Sequence, residues 1–194
     1  MPWDKSFSID TVLDRAGDVF LEHGYEATTM TMLLARMGIQ KGSFYATFTS
    51  KRDVFVEVLK RYIANAGTVM ADQTRGRPPL EALVDQMQTS ATWCSGRVAA
   101  LGCMLVNTAI ELGPRDPEIQ ELVHRALEAQ AQSFTELVEQ AQASGALSAD
   151  LDAASTAQML VSVRLGLRVM GRAGMTPDVA RSAVASTLEV LELA

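Results

Sequence analysis

Apolar residues recur three and four positions apart along almost the whole chain. Ile9, Val12, Leu13, Ala16, Val19 and Phe20 form one stripe, which predicts an amphipathic helix opened by Ser8 and closed at His23 and Gly24. A second helix is expected from Thr29 to Gly38 and a short third one from Lys41 to Thr47. Ser50, with Asp53 three places on, resembles a capping box and opens a long helix with the stripe Val54, Phe55, Val58, Leu59 and Tyr62. Arg75 to Pro79 is the clearest break, and Pro79 suits a first helical turn. Beyond it the pattern predicts helices over Pro79 to Trp93 and Val98 to Leu112. A longer one runs from Asp116 as cap to Gly145, and two more cover Asp152 to Gly171 and Thr176 to Leu193. Period-two alternation never persists, and aromatic residues are only 6 % of the chain. The expected fold is all-α with about nine helices, four before the paired prolines and five after.

Composition narrows the class. Apolar residues make up 48 % and charged residues 21 %, which fits a globular protein of one or two domains. The net charge is −6 and unevenly placed. The first 62 residues hold eight basic and eight acidic side chains, whereas the remainder holds nine arginines, no lysine and fifteen acids. An acidic chain is a poor global binder of nucleic acid, so any such role must be local to the neutral first third. There the basic residues cluster from Arg36 onward, and Asp10, Asp14, Asp18 and Glu22 line one face of the first helix. Cys94 and Cys103 do not suggest a disulfide framework, and no zinc spacing is present. The start, Met1 to Lys5, lacks a leader's apolar stretch, and the longest apolar run, Val98 to Val106, is about half of a membrane span. A reducing, cytoplasmic setting is expected, without a membrane partner.

Three short helices in about forty residues, the last two joined by a tight turn at Gly38, form the layout of a helix-turn-helix. The second helix of such a pair enters the major groove, and here that is Gln40 to Thr47. Lys41 supplies charge, Gly42 lets the backbone approach, and Ser43, Tyr45 and Thr47 supply hydroxyls for phosphates and base edges. Gly24, Tyr25, Thr28 and Thr29, followed by Gly38, Ile39, Lys41, Gly42, Ser43, Phe44, Tyr45, Phe48, Ser50 and Lys51, resemble the DNA-binding signature of TetR-family repressors. The resemblance covers roughly residues 8 to 62. It implies a homodimer on a two-fold operator, released from double-stranded DNA when a small-molecule effector binds the second domain. It also implies roles: Thr29 caps the second helix and touches a phosphate, and Tyr45 and Lys51 contact phosphates. Gln40, Lys41, Ser43, Phe44 and Thr47 fall where base and backbone contacts are made, and Leu33 and Phe48 brace the recognition helix. Leu34 and Met37 depart from the small residues usual there and call for extra room. Gln40, often Ser or Thr in the family, is a weaker cap and a better adenine reader. The domains expected are 1–50, with the linking helix starting there and serving to about 62, and 51–194 for effector binding and dimerisation.

The second half carries no catalytic constellation, and no Gly-rich phosphate loop follows a strand, so neither an enzyme nor a cofactor is implied. A pocket between helices is expected from Met87, Trp93, Cys103, Met104, Asn107, Phe134, Met159 and Arg168; the same residues also suit a plain bundle core. The stretch Leu101 to Glu111 resembles one found in a subset of the TetR family, some members of which answer reactive electrophiles or oxidants. Cys103 is then the candidate nucleophile, with Arg97 one to two turns before it. The last two helices are apolar on several faces, which predicts that a second copy covers them. A DNA-binding regulator without an effector is the alternative if the pocket is filled. A helical protein-interaction module is the alternative if residues 41 to 51 are plain surface.

Overall fold

Four helices begin on a side chain that accepts from an N–H three residues on: Thr29, Ser50, Asp116 and Asp152 satisfy Met32, Asp53, Ile119 and Ser155 respectively. These caps fix the phasing that the apolar stripes then use. The structure is a computed structural model, and it describes residues 8–193. The stretch Met1 to Lys5, read above for a leader, lies outside them. In chain order the helices are α1 (Ile9–His23), α2 (Met30–Met37), α3 (Lys41–Thr47), α4 (Lys51–Thr74) and α5 (Pro79–Ala91). They continue as α6 (Gly96–Leu101), α7 (Met104–Glu111), α8 (Pro117–Ala143), α9 (Ala153–Arg172) and α10 (Pro177–Leu193). A single 3-10 turn, Thr92–Cys94, joins α5 to α6. No strand occurs among the described residues, so the fold is all-α. No single described helix is long and apolar enough to cross a membrane.

The helix expected over 98–112 is two helices. Gly102 takes a left-handed φ of 72°, and Cys103 is extended at φ −120° and ψ 127°. Side chains take over the carbonyl that a continuous helix would bond: Leu101 O accepts from Arg172 Nη1 at 2.6 Å and from Asn107 Nδ2 at 3.4 Å. The apolar periodicity runs through this break unchanged, so it carries no mark of it. Helix α5 likewise ends at Ala91, two residues before the expected Trp93, by tightening into the 3-10 turn.

Two cores result. The first joins α1 to α4 with α7 and the start of α8, and its fully buried members include Leu33, Phe44, Val54, Leu59 and Ile119. The second joins α5, α8, α9 and α10 around Leu83, Met87, Phe134, Leu160 and Leu167. Helix α7 follows the proline break in sequence yet packs with the helix-turn-helix. The acidic row on α1 is neutralised in place. Arg61 of α4 reaches Asp10 at 2.6 Å and Asp14 at 3.1 Å, while Arg36 of α2 and Arg97 of α6 reach Glu22 at 3.5 and 3.2 Å. These pairs are exposed, so each adds about 0–1 kcal/mol and serves mainly to place the helices.

Replacing Gly102 by Ala puts a Cβ into the left-handed region, 3.0 Å from the Arg172 side chain. The expected cost is about 1–2 kcal/mol, read as a melting temperature lower by about 2–4 °C or more. An unchanged melting curve would show that the break does not depend on this residue.

Candidate functional site

Helices α2 and α3 are set by their turn. Gly38 is left-handed at φ 73° and donates to Leu34 O, and Arg15 of α1 donates from Nη1 to Met37 O at 3.4 Å. Met37 is buried and Leu34 half-buried, so both larger residues are accommodated in the first core. Gln40 stands at the N-cap of α3 without a side-chain cap bond, which leaves its amide free. Gln40, Lys41, Gly42 and Tyr45 are exposed, and Ser43 and Thr47 are half-buried on the same short helix. A Cβ at Gly42 meets nothing within 4 Å, so the fold itself makes no demand for glycine there. Thr29 is exposed and caps α2, with its Oγ1 accepting from Met32 N at 3.2 Å.

Two expected contact residues stand elsewhere. Phe44 is 0 % exposed and packs against Phe48 with ring centroids 5.5 Å apart. Its side chain is a core anchor: with Phe48 four residues on it fills the buried side of this seven-residue helix. Lys51 turns inward. Its Nζ donates to Tyr25 O and Thr28 O, each at 2.9 Å, and sits 4.2 Å from the centroid of the Tyr25 ring. It ties α4 to the turn between α1 and α2.

That turn is held from the other side as well. The Glu111 carboxylate at the end of α7 accepts from Tyr25 N at 2.9 Å and Glu26 N at 2.8 Å. Gly24 permits this: a Cβ there would stand 3.0 Å from Glu111 Oε2. A further strut joins α4 to α8. Arg52 meets Asp116 through two bonds of 2.7 and 3.0 Å, and Glu118 at 2.7 Å. The hydrogen bond from Arg52 holds the Asp116 carboxyl below the usual range.

A cavity of about 680 Å³ lies among α4, α5, α8 and α9 and opens beside the exposed middle of α4. Trp93, Cys103 and Arg168, all expected in a pocket, line it. Asn107 lines instead a smaller cleft of about 510 Å³ beside His23 and Gly24, which Cys103 and Arg168 also border. Met87 and Phe134 are fully buried in the second core, Met104 is buried in the first, and Met159 packs against the second. These four do not line the cavity, because large apolar side chains on the inner stripes of α5, α7, α8 and α9 close the cores between the helices. Arg97, expected near Cys103, points to Asp18 and Glu22 of α1. The neighbour of the Cys103 Sγ is the Tyr62 hydroxyl at 3.5 Å. Burial, with the thiol beside it, pushes that phenol well above its ordinary value.

Residues 12–58 match the model for bacterial regulatory proteins of the tetR family, and residues 77–187, more than half the chain, match the tetracyclin repressor-like C-terminal domain. The chain belongs to the TetR family. Similar proteins include the HTH-type transcriptional regulator YezE of Bacillus subtilis strain 168, 30 % identical over 97 % of this chain and 98 % of that one. The HTH-type transcriptional repressor ComR of Escherichia coli K12 is 27 % identical over 96 % of this chain and 90 % of its own. A solved structure of the TetR-family regulator CifR, a cysteine mutant complexed with 26-bp operator DNA, superposes with a TM-score of 0.85. It is 26 % identical and covers 96 % of this chain and 97 % of that one. This TetR-family chain is therefore a DNA-binding transcriptional regulator.

Several TetR-chain residues of consequence escaped the sequence reading. Glu111 and Arg52 act on partners 86 and 64 positions away. Tyr62, assigned to a core stripe, and Arg164 line the cavity. Arg164 does leave a trace: α9 carries Arg164, Arg168 and Arg172 at four-residue spacing and no acid. Within α3 the expected energetics separate sharply. Phe44→Ala is expected to cost about 3–5 kcal/mol, while Tyr45→Ala, half exposed, is expected within about 0.5 kcal/mol of the parent. Urea denaturation compares them, and equal losses would contradict the placement of the two rings.

Proposed function

We propose that this protein is a repressor that binds a two-fold operator as a homodimer and leaves it when a small molecule enters the cavity beside α4. The observation that carries the DNA half is the exposed edge of α3. Gln40, Lys41, Gly42 and Tyr45 stand clear of the core on a helix anchored by Phe44. Lys41 and Tyr45 take phosphates, Thr29 takes another at the start of α2, and Gln40, Ser43 and Thr47 read base edges. Gly42 keeps the helix low on the backbone. Lys51 acts by position, with its ammonium holding the turn that presents α2. The CifR complexes with operator DNA support this arrangement.

A second copy is the cover for α9 and α10, where Val169, Val179 and Val190 remain exposed. Two-fold symmetry then pairs two copies of α3 with two half-sites. Regulation runs through α7. Its first end, Cys103, borders the cavity, and its last residue, Glu111, grips the turn ahead of α2. A ligand that shifts α7 therefore shifts the DNA-binding helices. Reaction at Cys103 is a second way to move the same helix. The thiol sits at the N-cap of α7 and borders both the cavity and the cleft.

Selection from a pool of random duplexes is expected to return a two-fold symmetric site bound by two protomers. Its affinity should fall linearly with log salt, and Lys41→Ala should flatten that slope by about two, one phosphate per protomer. Gly42→Ala should keep the melting temperature and weaken binding. A failure to select any duplex, or a Lys41→Ala protein with the parent slope, would overturn this reading of α3.

A further inference from the structure

Helix α9 is unusual in its charge. Its twenty residues carry three arginines, four apart, and no acid. Arg172 is occupied by Leu101 O. Arg164 and Arg168 turn to the cavity wall. The Arg164 Nε donates to Ser90 Oγ at 3.0 Å, but its Nη1 is buried with no hydrogen-bond partner. The neighbouring lining residue Gln86, itself 1 % exposed, has an equally unpartnered Oε1. Both guanidinium groups lie over the Trp93 ring, Arg168 at 3.5 Å and Arg164 at 4.9 Å from its centroid, and Arg164 also stands 5.1 Å from the Phe134 ring.

Among the described residues neither arginine has a carboxylate within ion-pair distance. The lining carboxylate, Glu136, is exposed and accepts from Gln132, and the lining Arg77 is paired with Asp85. The inner wall thus holds two like charges without a counter-charge. Burial and the charge of Arg168 lower Arg164 to about 10, still far above neutral pH, so Arg164 stays cationic. Cation–π contact with Trp93 offsets only part of the cost of withdrawing a guanidinium from water. Stacking on Trp93 also excludes a cationic or flat aromatic ligand from that face, since the ring is already covered.

We infer that the cavity is built for an organic anion, whose carboxylate or similar oxyanion lies between Arg164 and Arg168 and whose apolar body runs along Ile63, Met70 and Leu105. This rests on the reading of the cavity as the effector site, and it names the effector's chemical class. A volume of about 680 Å³ lies within the usual range of small-molecule pockets, about 300–1,000 Å³. The anion neutralises the wall, accepts from the free Nη1 of Arg164, and draws on the one helix, α9, that also fixes α6 through Arg172.

The test uses matched acids and amides on the full-length protein: 2-naphthoate against 2-naphthamide, and decanoate against decanamide, with inorganic phosphate and the neutral dye Nile red as further probes. Binding is read by calorimetry and by tryptophan fluorescence. At least one acid is expected to bind about tenfold or more tighter than its amide, as loss of one charged hydrogen-bonded partner predicts. Arg168→Gln and, separately, Arg164→Gln should remove that preference while Nile red binding persists. Should one variant fail to fold, the acid–amide comparison on the parent protein and the other variant still decide. An amide as tight as its acid overturns the anion assignment, and so does inorganic phosphate as tight as the acids. If no acid binds while Nile red does, the assignment falls and the cavity reading stands. If Nile red is also excluded, both fall.

Discussion

The backbone turn Gly24 to Thr28 is held by opposite charges on its two sides. Its carbonyls at Tyr25 and Thr28 receive the Lys51 ammonium, and its amides at Tyr25 and Glu26 are received by the Glu111 carboxylate. Each is a charge-assisted bond to a group that a turn otherwise leaves to water. The turn leads directly into Thr29 and α2, and α2 sets α3 through Gly38. The placement of α3, the proposed reading helix, thus follows from two side chains, one on α4 and one on α7. Neither is itself on the exposed edge of α3. The second of them closes α7, whose N-cap residue Cys103 borders the cavity, so in the proposed function the grip is where effector chemistry and DNA geometry meet.

Charge is used sparingly for DNA and heavily for architecture. Arg36, Arg52, Arg61 and Arg97 all have carboxylate partners, and Lys51 is committed to carbonyls. Lys41 is the cation on α3. A surface with so little spare positive charge binds non-specific DNA weakly, because that mode depends on phosphate neutralisation. In the proposed dimer, specific contacts and the pairing of two copies supply the affinity. The contrast with α9 is direct: among the described residues, Arg164 and Arg168 line the cavity without a carboxylate partner.

What the sequence disclosed was local. Thr29, Ser50, Asp116 and Asp152 announce helix starts because a cap needs only a short polar side chain and three residues of spacing. The spaced set from Gly38 to Lys51 marked the helix-turn-helix, and Leu33 and Phe48 sit in the core as that spacing implies. What it hid was either long-range or a matter of facing. Phe44 lies inside a contact stretch, yet a seven-residue helix must bury one side. Lys51 looks like a free cation until the Tyr25 ring and two carbonyls close around it. The break at Gly102 depends on Arg172, seventy-one positions from the Leu101 carbonyl it takes. Of the cavity, only Trp93, Cys103 and Arg168 were legible, because composition marks apolar residues without saying which of them the core consumes.

The most direct measurement is the operator affinity of Glu111→Ala beside that of the parent, with melting temperature and secondary structure recorded on the same samples. Glu111 is remote from α3 in sequence, and its carboxylate accepts from the turn at Tyr25 N and Glu26 N. If its grip positions the reading helix, the variant keeps its helical content and binds the operator about tenfold more weakly or worse, the loss of two charge-assisted bonds being worth about 1.5–3 kcal/mol each. A folded Glu111→Ala protein with the parent's operator affinity would contradict the account.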